Sequence, residues 1–106
     1  MALRVPVPDG SVTDITVRLE NPPADAAGLN SALARAAAAE RMAPVLEVTC
    51  DPIVSIDIVD NSHSSIVDAL ATMKASEDTF KLLAWYDNEW GYACRVADLA
   101  NLIATR

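Results

Sequence analysis

Thr79-Phe80-Lys81-Leu82-Leu83-Ala84-Trp85-Tyr86 is the stretch on which the fold turns. Phe80, Leu82, Ala84 and Tyr86 alternate with Lys81, Leu83 and Trp85. Both sets are largely apolar, which predicts a strand buried on two faces, in the middle of a sheet. Asp87-Asn88 ends the alternation, and the apolar period then lengthens to 3.6. Val96, Leu99, Ala100 and Ile103 fall on one stripe of a helix predicted over Trp90 to Thr105. That stripe needs something to sit on.

Working outward, Ser11 to Glu20 alternates Ile15, Val17 and Leu19 with Thr16, Arg18 and Glu20, the pattern of a strand with one wet face. Asp9-Gly10 marks the turn before it, and Val5-Pro6-Val7-Pro8 must be extended. Asp25 to Arg41 reads as a helix capped by Asp25 and stopped by Pro44, with Leu29, Ala32, Leu33, Ala36 and Ala37 on one stripe. Val45 to Thr49 is a short strand candidate. Ile53 to Val59 is rich in β-branched residues and alternates weakly, as a further strand would. Ser64 to Met73 fits a strand or a short helix, with Ile66 and Val67 favouring the strand. Strand, helix, several strands and helix, without a run of βαβ units, predict an α+β fold: a mainly antiparallel mixed sheet with helices on one face.

The chain of 106 residues is long enough for one domain and its core. Its formal net charge of −7 disfavours phosphate backbones and anionic lipid, so neither nucleic acid nor a membrane surface is an expected partner. No apolar run is long enough to span a bilayer. Two cysteines, Cys50 and Cys94, make no disulfide scaffold and lack metal-site spacing, which suits a cytoplasmic protein. A single histidine excludes a His-pair metal site within one chain. His63, among Asn61, Ser62, Ser64 and Ser65, fits a hydrogen-bonded loop residue better than a general base. Asp51 beside Cys50 opposes a reactive thiolate, and Cys94, near the start of the last helix beside Arg95, fits a small packing residue. Arg4 could hold an anion. In Trp85-Tyr86-Asp87-Asn88-Glu89-Trp90-Gly91-Tyr92 aromatic rings crowd a strand-to-helix turn, with Asn88 at the cap. A ligand site reading a planar amide and an ordinary aromatic staple with an Asn cap both suit that pattern.

This last octapeptide resembles the C-terminal signature of phosphorylating glyceraldehyde-3-phosphate dehydrogenases. The likeness continues through Met1 to Pro8 and Gly10 to Asp14, Asn30, Asp51 to Ser55, Asp57 to Val59, His63 to Ala69 and Arg95 to Leu99. The resemblance implies that residues 1–106 are part of the C-terminal catalytic domain of that family, without its N-terminal Rossmann domain. It implies that Arg4 holds the substrate phosphate, that Asn88 contacts the nicotinamide carboxamide, and that Tyr92 packs near the nicotinamide ring. The cofactor would be NAD or NADP, in the context of the family's other domain.

The family's nucleophilic cysteine motif and its base histidine are not in this stretch, so no catalytic residue is assigned and the chain is expected to be inactive alone. It would work as a piece of an ordinary glycolytic enzyme, as one subunit of a split dehydrogenase, or as a non-catalytic self-associating or regulatory module. Its expected partners are a Rossmann-domain chain or further copies joined through the last helix, in a homo-oligomer. The chain departs from the family pattern at Asp9, Ala43-Pro44, Ile56, Asp60 and Ala93-Cys94, mostly in turns.

Overall fold

The computed structural model describes all 106 residues. Six strands form one mixed sheet: β1 (Ala2–Leu3), β2 (Ser11–Arg18), β3 (Leu46–Thr49), β4 (Ser65–Asp68), β5 (Met73–Lys74) and β6 (Thr79–Tyr86). The order across the sheet is β1-β2-β6-β4-β3, with β5 also paired to β6. Every pairing is antiparallel except β3 with β4, which is parallel. The α+β architecture and the central place of β6 are as the alternation predicts.

The β2–β6 register sets Ile15 opposite Leu82 and Val17 opposite Phe80. These four share one face, and the helix α1 (Ala26–Ala38) covers it with Leu29 and Leu33. Phe80 is fully enclosed there. The other face carries Val12, Trp85 and Ile66.

Asp25 caps α1 by accepting from the Gly28 amide at 2.8 Å. The buried stripe of α1 is narrower than its spacing suggests: Ala26, Leu29, Leu33 and Ala37 face inward, while Ala32 and Ala36 are exposed. Asn30 also turns inward. It donates to the Ala69 carbonyl at 2.9 Å and accepts from the Thr72 hydroxyl at 2.7 Å, pinning the helix to the connection after β4.

Two strand candidates differ from their sequence patterns. Ile53 to Val59 holds no strand but a short 3₁₀ turn over Ser55–Ile58. The Asp57 carboxylate accepts from the Val54 amide at 2.7 Å and closes that turn, a local bond that outcompetes β propensity. Of Ser64 to Met73, only Ser65–Asp68 is the longer strand, because Asp68 accepts from the Leu70 amide at 3.2 Å and starts a 3₁₀ turn.

Helix α2 (Trp90–Ala104) leaves β6 directly and has a different setting. Gly91 is its one buried residue, and Val96, Leu99, Leu102 and Ile103 are exposed. Its apolar stripe is uncovered in this chain. No helix is long and apolar enough to cross a membrane.

Candidate functional site at the β6–α2 turn

The turn from β6 into α2 is built around Asp87, which is 1% exposed. Its carboxylate accepts from the backbone amides of Glu89 at 3.0 Å, Trp90 at 2.9 Å and Asp60 at 2.9 Å. Burial pushes its pKa up, but the amides of Trp90 and Asp60, a hydrogen bond with Asp9 and the Glu89 amide together hold it below the ordinary value. Asp87, not Asn88, is therefore the side chain that caps α2. An Asp beside the first helical turn is an ordinary capping signal, which the more conspicuous Asn88 obscures in the sequence.

Freed from capping, Asn88 reaches the N-terminal segment instead. Its Oδ1 lies 2.6 Å from Nη1 of Arg4 and 3.3 Å from Oγ of Ser11. Arg4 Nη1 also donates to Ser11 Oγ at 3.2 Å, and Nη2 donates to the carbonyls of Val7 and Pro8 at 3.2 Å each. The Val5-Pro6-Val7-Pro8 segment is not extended throughout: it bends at Pro6 and Pro8, where the Val7 amide donates to the Val5 carbonyl at 2.7 Å, and so turns the Val7 and Pro8 carbonyls onto the arginine that precedes it. Gly10 closes the turn at φ +100°, and a Cβ there would meet Ile58 Cδ1 at 3.0 Å.

Tyr92, 73% exposed, stands one turn along α2. With Ser64, Tyr86, Asp87, Asn88, Gly91 and Arg95 it lines an open cleft of about 290 Å³. A Cβ on Gly91 would meet the His63 carbonyl oxygen at 3.2 Å, so glycine lets the helix start lie against that loop. Of the three residues singled out from sequence, Arg4 and Asn88 touch, and Asn88 and Tyr92 line one cleft. Ser11 joins them in the structure alone: a serine opening a strand carries no signal of its own in the sequence.

The remaining candidates serve the scaffold. His63 places Nδ1 2.8 Å from Asn61 Oδ1 and 3.1 Å from Glu47 Oε2, and Nε2 3.1 Å from the Ala43 carbonyl. Both ring nitrogens are occupied in holding loops together. Cys50 and Cys94 are unpaired and neither lines the cleft. No group of three or more His, Cys, Asp or Glu side chains is placed to hold a metal ion.

The sequence profile described as "Glyceraldehyde 3-phosphate dehydrogenase, C-terminal domain" matches residues 1–88. The chain belongs to that family. A glyceraldehyde-3-phosphate dehydrogenase of Borreliella burgdorferi is 50% identical over 93% of the chain. Glyceraldehyde-3-phosphate dehydrogenase 2 of Bacillus subtilis is 46% identical over 100% of it, and glyceraldehyde-3-phosphate dehydrogenase 1 of Caenorhabditis elegans is 49% identical over 100%. The chain spans about 30% of the length of these relatives.

Proposed function

We propose that this chain forms the phosphate- and amide-gripping side of a phosphorylating, NAD(P)-dependent glyceraldehyde-3-phosphate dehydrogenase site. The supporting observation is the Arg4–Asn88 contact of 2.6 Å, which unites two family-pattern residues 84 positions apart. Arg4 supplies the cation for the substrate phosphate. To meet it, the guanidinium swings off the Val7 and Pro8 carbonyls, exchanging neutral acceptors for a charged one.

The donor set suits the nicotinamide end of the cofactor. Asn88 offers a free Nδ2 donor, and Tyr92 offers an exposed ring at the mouth of the cleft. When bound, that ring system supplies the hydride acceptor. This chain's part is to bind and orient: Asn88 by hydrogen bond and Tyr92 by packing.

The thiolate chemistry comes from elsewhere in the enzyme, since neither cysteine here reaches the cleft. The isolated 106-residue chain should therefore show no dehydrogenase turnover, while joining it to a Rossmann-domain portion that carries the nucleophile should restore it. In the restored enzyme, Arg4→Ala should raise KM for the phosphorylated aldehyde at least tenfold, in line with the loss of a charged hydrogen bond. Unchanged kinetics would remove Arg4 from the phosphate site. Turnover by the pure isolated chain would overturn the assignment of the chemistry to another part.

A further inference from the structure

The amide of Asn88 has a donor end and an acceptor end, and its neighbours decide which faces outward. Arg4 carries donors only, so the atom 2.6 Å from its Nη1 must be the amide oxygen. Ser11 donates its hydroxyl proton to the same oxygen at 3.3 Å and accepts from Arg4 Nη1 at 3.2 Å. The three side chains close a triangle in which each proton has one acceptor. Turning the amide over would set Nδ2 against the guanidinium, donor against donor. Nδ2 makes no hydrogen bond within the chain, and Asn88 is exposed.

We propose that Ser11 is a positioning residue for the cofactor amide, holding Asn88 with Oδ1 inward so that the site presents an N–H donor to an oxygen on the ligand. This rests on the function proposed above. The serine is well placed for the task. It is 9% exposed, it is the first residue of β2, and its backbone is in register with Tyr86, two residues before Asn88. Gly10 fixes the turn immediately ahead of it. Its hydroxyl therefore sits on rigid backbone, whereas Arg4 is exposed and, in the function proposed above, turns towards the phosphate. With Arg4 drawn away, Ser11 becomes the remaining protein donor to Oδ1. The site then favours a pyridine ring bearing a carbonyl oxygen over one bearing only an amino group.

The test is equilibrium binding by calorimetry, using the assembled dehydrogenase that contains this chain and NAD as the probe. Ser11→Ala should weaken NAD binding about three- to tenfold, the range for one hydrogen bond. Added to Asn88→Ala, it should weaken binding no further, because its effect passes through that amide. The preference for NAD over its 3-aminopyridine analogue should narrow in Ser11→Ala. That ratio is internal to each variant and is unaffected by the folded fraction.

Wild-type NAD affinity in Ser11→Ala, while Asn88→Ala binds weakly, would overturn the positioning role and leave the proposed function standing. A further loss on top of Asn88→Ala, or an unchanged analogue ratio, would also overturn it, by showing a merely structural effect. If Asn88→Ala itself binds NAD like the wild type, the proposed cofactor contact fails and the role of Ser11 fails with it.

Discussion

Asp60 adopts φ 64°, the left-handed region, where L side chains crowd the backbone. This is one of the positions where the chain departs from the pattern it resembles. Its amide donates to Asp87, so the backbone shape is held by the site itself. Asp60→Gly keeps that amide and relieves the crowding. It should stabilise the fold by roughly 0.5–1 kcal/mol, raising Tm by about 2–6 °C in a thermal melt. An unchanged or lower Tm would show that Asp60 sits there without strain. Asp9 is a second such departure. Its hydrogen bond to the Asp87 carboxyl, then burial, then the charges of Asp87 and Glu89 raise its pKa, against one amide bond from Gly10. A raised pKa means the folded state prefers protonated Asp9. That contribution is complete below the ordinary carboxylate value and is lost as pH climbs through the raised one. Asp87, held low, runs the other way: its contribution is present above the ordinary value and is lost as pH falls through the lowered one. Asp9→Asn imitates the protonated acid at every pH. It should raise Tm at about pH 7 and lose that advantage as pH falls towards about 4. An advantage independent of pH would mean the two carboxyls do not share a proton.

At the scale of elements, legibility depended on how many residues each signal spanned. Eight alternating residues made β6 plain, and Asp25 before a stripe of leucine and alanine made α1 plain. Segments decided by one side chain were not readable in the same way. Asp57 and Asp68 each convert strand-like sequence into a tight turn by a bond to a nearby amide, and composition does not announce which Asp will do so. The site divides likewise. Arg4, Asn88 and Tyr92 stand out through the family pattern, but the contact of Arg4 with Asn88 depends on a turn that brings the start of the chain beside residue 88. Asn30 shows how one polar residue joins elements. Asn30→Ala would strand the Thr72 hydroxyl and the Ala69 carbonyl where α1 meets the sheet. A loss of about 1–3 kcal/mol is expected in urea unfolding, with little change in the cleft. A loss well below that range would mean that water replaces both bonds.

Over the whole molecule the two helices are unequal. α1 closes the core, whereas α2 carries Val96, Leu99, Leu102 and Ile103 into solvent. A stripe of that kind favours association. The isolated chain should elute as a concentration-dependent oligomer in size-exclusion chromatography with light scattering, and Leu99→Lys with Ile103→Lys should return it to a monomer. A wild-type monomer at high concentration would show that this stripe is not self-complementary. The sheet holds another consequence, in time rather than space. β2 finds its main partner only in β6, with Ser11 set opposite Tyr86 and Arg18 opposite Thr79. About 60 residues separate the two strands, and a ribosome adds roughly 5–20 residues each second. For about 3–12 seconds of synthesis, Ile15 and Val17 therefore wait on an unfinished edge, whereas chain collapse takes microseconds. Left unsheltered for that time, the edge of β2 is open to other partners before its central neighbour arrives.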